Sequence, residues 1–128
     1  MRKYTVKVND DETKEWYING KLHREDGPAI ERSNGFNSWY INGKLHREDG
    51  PAIEHINGYN SWYINGKLHR EDGPAIEYVD GYKEWWIKGK ELSEEQFKDR
   101  VRRTSFNYNG SIIVIDGVQY ILNEVKKN

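Results

Sequence analysis

The tetrad His-Arg-Glu-Asp occurs at residues 23–26, 46–49 and 69–72 of this chain. These side chains are equipped for chemistry. The histidine could serve as general base, the aspartate could orient it, and the arginine could hold an oxyanion or a phosphate. A His and an Asp three residues apart are also a rudimentary pair of metal ligands. Recurrence argues against both readings, because catalysis needs one asymmetric constellation held to sub-ångström tolerance. Here the same set returns every 23 residues. Outside the tetrads there is no Ser or Cys nucleophile motif, no phosphate-binding glycine loop and no metal-ligand cluster. The sequence therefore predicts no catalytic residue, no metal site and no cofactor. Structural roles fit the tetrads better. Asp26, Asp49 and Asp72 precede Gly-Pro, where an Asx turn is expected. Arg24, Arg47 and Arg70 can pair with acids of their own or an adjacent unit, and His23, His46 and His69 can cap backbone carbonyls.

The elements that position the tetrads follow from the repeat. Trp16, Trp39, Trp62 and Trp85 are 23 residues apart, and the string Trp-Tyr-Ile-Asn-Gly-Lys-Leu-His-Arg-Glu-Asp-Gly-Pro-Ala-Ile-Glu begins at the first three. In the second copy a strand over 36–41 meets Asn42-Gly43, the strongest short hairpin signal. A short strand, 44–46, leads to a corner at 47–51, where proline bars ladder pairing and Gly50 supplies an unusual φ. A further strand covers 52–54. Alternation puts Trp39 and Ile41 on one face and Tyr40 on the other. A core of Trp and Ile joined by Leu45 is expected, with the Tyr face half exposed.

Asn-Gly-Lys-x-His, a glycine corner and an Asn-Gly or Asp-Gly turn at this period resemble the MORN repeat over residues 16–90. His-Arg-Glu-Asp-Gly-Pro makes a longer corner than the His-Gly-x-Gly of a typical unit. The resemblance implies a mainly β protein whose single sheet forms a β-hairpin solenoid. In that form the Trp-Tyr-x-Asn-Gly-Lys-x-His-Arg-x-Asp-Gly-Pro-Ala variant is similar to bacterial and bacteriophage repeat proteins. It implies no enzymatic activity, and a phage-type effector or inhibitor acting on a host protein. Residues 1–15 are expected to be a capping strand and 16–90 the array, its fourth copy degenerate. Residues 91–128 carry one short helix, about 94–103 after a Ser93/Gln96 capping box, and a terminal hairpin over 111–115 and 118–122. That hairpin is the most apolar stretch. Its expected cover is the end of the repeat sheet or a second copy of the chain, joined as a homodimer through 104–128.

Charge is abundant but balanced, 20 Lys and Arg against 21 Asp and Glu. Duplex nucleic acid is not an expected partner, since its binders carry a basic excess. With no cysteine, disulfides and thiolate zinc sites are excluded. Mean hydropathy is −1.04, yet five Trp and nine Tyr can each bury as much as several aliphatic residues. Neither a membrane span nor a signal-peptide run is legible, so a cytoplasmic protein is expected. The leading expectation is a module that binds another protein through Tyr17, Tyr40, Tyr63, Arg24, Arg47, Arg70, Arg100 and Arg103, residue types favoured at hot spots. The alternative is a binder of a small anionic ligand, such as a nucleotide, in a groove between units.

Overall fold

The computed structural model describes residues 3–104 and 112–121. Strand β1 (Thr5–Val8) precedes the repeats, and β2 (Lys14–Ile18), β3 (Lys21–Leu22) and β4 (Ile30–Glu31) form the first. The second contains β5 (Phe36–Ser38), β6 (Tyr40–Ile41), β7 (Lys44–Leu45) and β8 (Ile53–His55). The third contains β9 (Asn60–Ser61), β10 (Tyr63–Ile64), β11 (Lys67–Leu68) and β12 (Ile76–Glu77), and the fourth β13 (Lys83–Ile87) and β14 (Lys90–Leu92). Helix α1 (Glu94–Thr104) and the strands β15 (Ile112–Ile115) and β16 (Val118–Ile121) follow. The chain divides into two units after Leu92.

In the first unit β1, β2, β4, β5, β8, β9, β12, β13 and β14 lie side by side in that order, an open antiparallel meander with β1 and β14 at its edges. The expected strand over 36–41 is one run divided at Trp39. Its first half pairs with β4 and β8, and its second half, β6, pairs with β7. Trp39 itself donates to Ala52 O at 2.7 Å and accepts from His46 N at 3.0 Å. The strand thus changes partner at the tryptophan, because the chain between His46 and Ala52 leaves the ladder as the corner. The hairpin turn has the expected form. Asn42 and Gly43 take φ 51° and 79°, both positive as a type I′ turn requires.

The core differs from the expected Trp–Ile–Leu ladder. Trp16, Trp39, Trp62 and Trp85 are half-buried. The buried positions of this unit are Ala29, Ala52, Ala75, Ser38, Ser61, Ile30, Ile76 and Ile87, with Thr13 and His23. Register explains the choice. Ile30 faces Ser38, Ser38 faces Ile53, Ile53 faces Ser61 and Ser61 faces Ile76. Large and small side chains so alternate in a row across the sheet, which lets neighbours interdigitate without voids. Ser38 alternates with Trp39, so this row lies on the Tyr40 face. Ala29, Ala52 and Ala75 alternate with these isoleucines and are fully buried, so small residues pack tightly on the tryptophan face as well.

In the second unit Ser93 N donates to Gln96 Oε1 at 2.8 Å, and Gln96 N to Ser93 Oγ at 3.1 Å. This reciprocal capping box starts α1. Glu94 and Lys98 pair at 3.3 Å, and Asp99 pairs with Arg102. The terminal hairpin forms as β15 and β16 around Asp116-Gly117. Ile112, Val114, Ile115, Val118, Tyr120 and Ile121 are all 40–65% exposed. Among the described residues no helix is long and apolar enough to cross a membrane.

Candidate functional site

Each corner is built round its arginine. The Arg47 guanidinium carbon lies 3.8 Å from the Trp39 ring centroid, an arrangement stabilised by the ring quadrupole. Its Nε donates to Asp49 Oδ1 at 3.1 Å, and its Nη1 to Pro51 O at 3.1 Å and Glu54 Oε2 at 3.4 Å. Arg24 repeats this on Trp16 at 3.9 Å and Arg70 on Trp62 at 3.8 Å. The aspartate therefore serves the arginine, where an Asx turn was expected. The corner glycine also has a different role from the one expected. Gly50 is not among the residues with positive φ, but a Cβ there would lie 2.9 Å from the Arg47 guanidinium carbon. Glycine is present because the guanidinium occupies the space. Burial works against the charge of Arg24, and the bonds it donates to Glu31 and Asp26 outweigh it, so its pKa is raised.

The histidines join one unit to the next. His23 Nδ1 accepts from Asn42 N at 3.0 Å, His46 Nδ1 from Asn65 N at 3.0 Å, and His69 Nδ1 from Lys88 N at 2.9 Å. This corrects the expected carbonyl cap: the imidazole is an acceptor, and the bond assigns the proton to Nε2. Nε2 faces Glu25 at 3.5 Å, Glu48 at 3.8 Å and Glu71 at 3.5 Å. Two backbone bonds flank each imidazole link, as with Arg47 N to Tyr63 O and Gly66 N to Leu45 O. Each histidine side chain thus acts as a missing rung of the ladder between hairpins.

Of the sequence-predicted surface, the structure brings Arg24, Arg47 and Arg70 each to its own tryptophan and leaves their side chains only 20–22% exposed. Tyr17, Tyr40 and Tyr63 share the opposite face and are half-buried. Tyr17 donates to Glu15 Oε1 at 3.1 Å. Burial, and then the neighbouring Tyr59, raise the Tyr63 phenol. Arg100 is half-buried and Arg103 exposed on α1, in the other unit. Between successive corners run open grooves. The first, about 820 Å³, has Trp39 and Ile41 along it between corners 24–28 and 46–49. The second, about 680 Å³, has Trp62 and Ile64 between the corners of Arg47 and Arg70. Among the described residues no three His, Asp or Glu side chains converge as metal ligands.

A second surface lies at the turns that connect the units. Phe36 meets His55 edge-on at 5.7 Å, Tyr59 meets Tyr78 at 5.7 Å, and Tyr78 meets Tyr82 at 5.6 Å. Beside them Ile56 is 84% exposed, and Val79 and Tyr82 are each 61% exposed. Tyr78 donates to Glu84 Oε2 at 2.9 Å, and chiefly this bond pushes its pKa up to about 12. This edge was not legible in the repeated string, because it lies in the turns between copies. The signal was the differences between copies: Arg32, His55 and Tyr78 are equivalent, as are Ser33, Ile56 and Val79. No family model, curated protein or solved structure matches the chain.

Proposed function

We propose that the chain is a MORN-like β-hairpin solenoid that carries out no chemistry and binds another protein. One observation carries this reading: the reactive side chains of all three tetrads are engaged inside the repeat, in the same geometry each time. A side chain that holds its own fold in triplicate is poorly placed to turn over a substrate. The edge of Ile56, Tyr78, Val79 and Tyr82 faces solvent, with half-buried Tyr59 against Tyr78, an aromatic and apolar surface of the kind that anchors protein contacts. Two of these repeat positions differ between copies, Arg32/His55/Tyr78 and Ser33/Ile56/Val79, while the third stays aromatic as Phe36, Tyr59 and Tyr82. A constant scaffold with a varied edge suits recognition of one specific partner, and the phage resemblance makes a host protein the reading for that partner. The alternative of a small anionic ligand loses its support, because the arginines meant to hold it are paired with carboxylates.

The test is capture from a native lysate with the intact chain and with an Ile56→Ser/Tyr82→Ser variant. The reading expects one specific protein retained by the chain and lost by the variant, with both equally folded by circular dichroism. Turnover that vanishes when one of His23, His46 and His69 is replaced, and not the other two, would overturn it.

A further inference from the structure

The corners leave a charge pattern that the balanced composition conceals. Each corner sets one guanidinium against three carboxylates: Arg24 against Glu25, Asp26 and Glu31 in the first, with the same set at 47–54 and 70–77. The arginines point inward and are neutralised. The rim acids point outward: Asp26 is 81%, Glu48 85% and Asp72 85% exposed. The grooves therefore combine an apolar floor with an acidic rim. Trp39 and Ile41 lie along the first, Trp62 and Ile64 along the second, and Glu48 and Asp49 border both.

Spacing narrows the occupant. Each repeat adds two strands to the sheet, as β5 and β8 do, so equivalent points in successive grooves are about 10 Å apart at ~4.8 Å per strand. A polyproline II segment returns to the same face every three residues, a rise of about 9 Å. A β-strand does not match, because its same-face residues recur at about 7 and 13 Å. Aromatic-lined grooves are also the surfaces that accept polyproline II segments. We propose that the two corner grooves bind a cationic, polyproline II-like protein segment with arginine or lysine at every third position. The aliphatic stems would lie on Trp39–Ile41 and Trp62–Ile64, and the cationic heads would meet the rim carboxylates. This rests on reading the array as a protein-binding module and adds a second surface of opposite character to the aromatic edge.

The test uses the full chain and a fluorescent peptide of three Arg-Pro-Pro repeats, read by anisotropy. A second peptide of the same composition has its arginines adjacent. Saturable binding, weakened by salt, is expected for the first peptide and about tenfold weaker binding for the second. A Glu25→Gln/Glu48→Gln/Glu71→Gln variant should also bind the first about tenfold more weakly, since several modest exposed charge pairs are lost together. Its thermal unfolding is measured alongside to establish that it remains folded. Equal affinity for the two peptides, or no effect of the triple variant, overturns the inference. So does a melting temperature raised by millimolar calcium in the chain and not in the variant, with no peptide binding, because the occupant is then an ion. The two readings fail separately. Partner capture lost with Ile56→Ser/Tyr82→Ser, in a chain that ignores the peptide, removes the groove proposal alone. Capture that survives both sets of substitutions removes the protein-binding reading of these surfaces as well.

Discussion

The hairpins at Asn42-Gly43 and Asp116-Gly117 turn through the same backbone angles, φ 51° then 79° in each. Their surroundings are opposite. The first has few large aliphatic residues, yet its neighbours Ala52 and Ser38 are buried and an imidazole joins it to the next unit. The second is the most apolar stretch of the chain, and its exposed side chains include Ile112, Val114 and Ile121. Burial here follows repetition more than hydrophobicity. A unit that hands backbone bonds to an identical neighbour buries small residues completely, whereas a lone two-stranded hairpin is marginal in water however apolar it is.

The largest test of that contrast is Arg47→Ala. It removes the stack on Trp39 and the bonds to Asp49, Pro51 and Glu54, and should cost about 3 kcal/mol in urea unfolding. A loss below about 1 kcal/mol would mean the corners are not what holds the array together. Gly50→Ala should cost about 1–2 kcal/mol by displacing that guanidinium, and add almost nothing to Arg47→Ala, because the atom it collides with is gone. Additive losses would sink the spatial account of this glycine.

Next in size are the histidine links. His23 is 2% exposed, and His23→Ala should cost about 2 kcal/mol by leaving the Asn42 N–H without its acceptor. His69, with a side chain 14% exposed, should cost about 1 kcal/mol where water can substitute. A reversed order in denaturant unfolding would break the link between burial and the worth of the bond. Smaller again, Lys88 holds φ 50°, where asparagine stands in the other copies. Lys88→Asn should stabilise by about 0.5 kcal/mol, because Asn tolerates the left-handed region better; a loss of stability would contradict it. Least of all, Val114→Thr in the bare hairpin should change thermal stability by less than about 0.5 kcal/mol. A larger loss would reveal that β15 and β16 are covered and the contrast false.

The period, the positive-φ turns, the strand that ends before Asn42 and the capping box of Ser93 and Gln96 were legible from residue order. Each depends on residues a few positions apart, so local chemistry specifies it. The candidate site was legible only as a set of residues. That His46 accepts instead of donating depends on Asn65, 19 positions away and brought beside it only when hairpins align. That Gly50 makes room for Arg47 depends on the guanidinium folding back over Trp39. Which large and small side chains share a row depends on the register of Ile and Ser across five strands. Composition and spacing thus determined the repeat and its turns. Packing between units decided what the repeated side chains do, because an imidazole, a guanidinium or a serine takes its role from whatever group the neighbouring unit places against it.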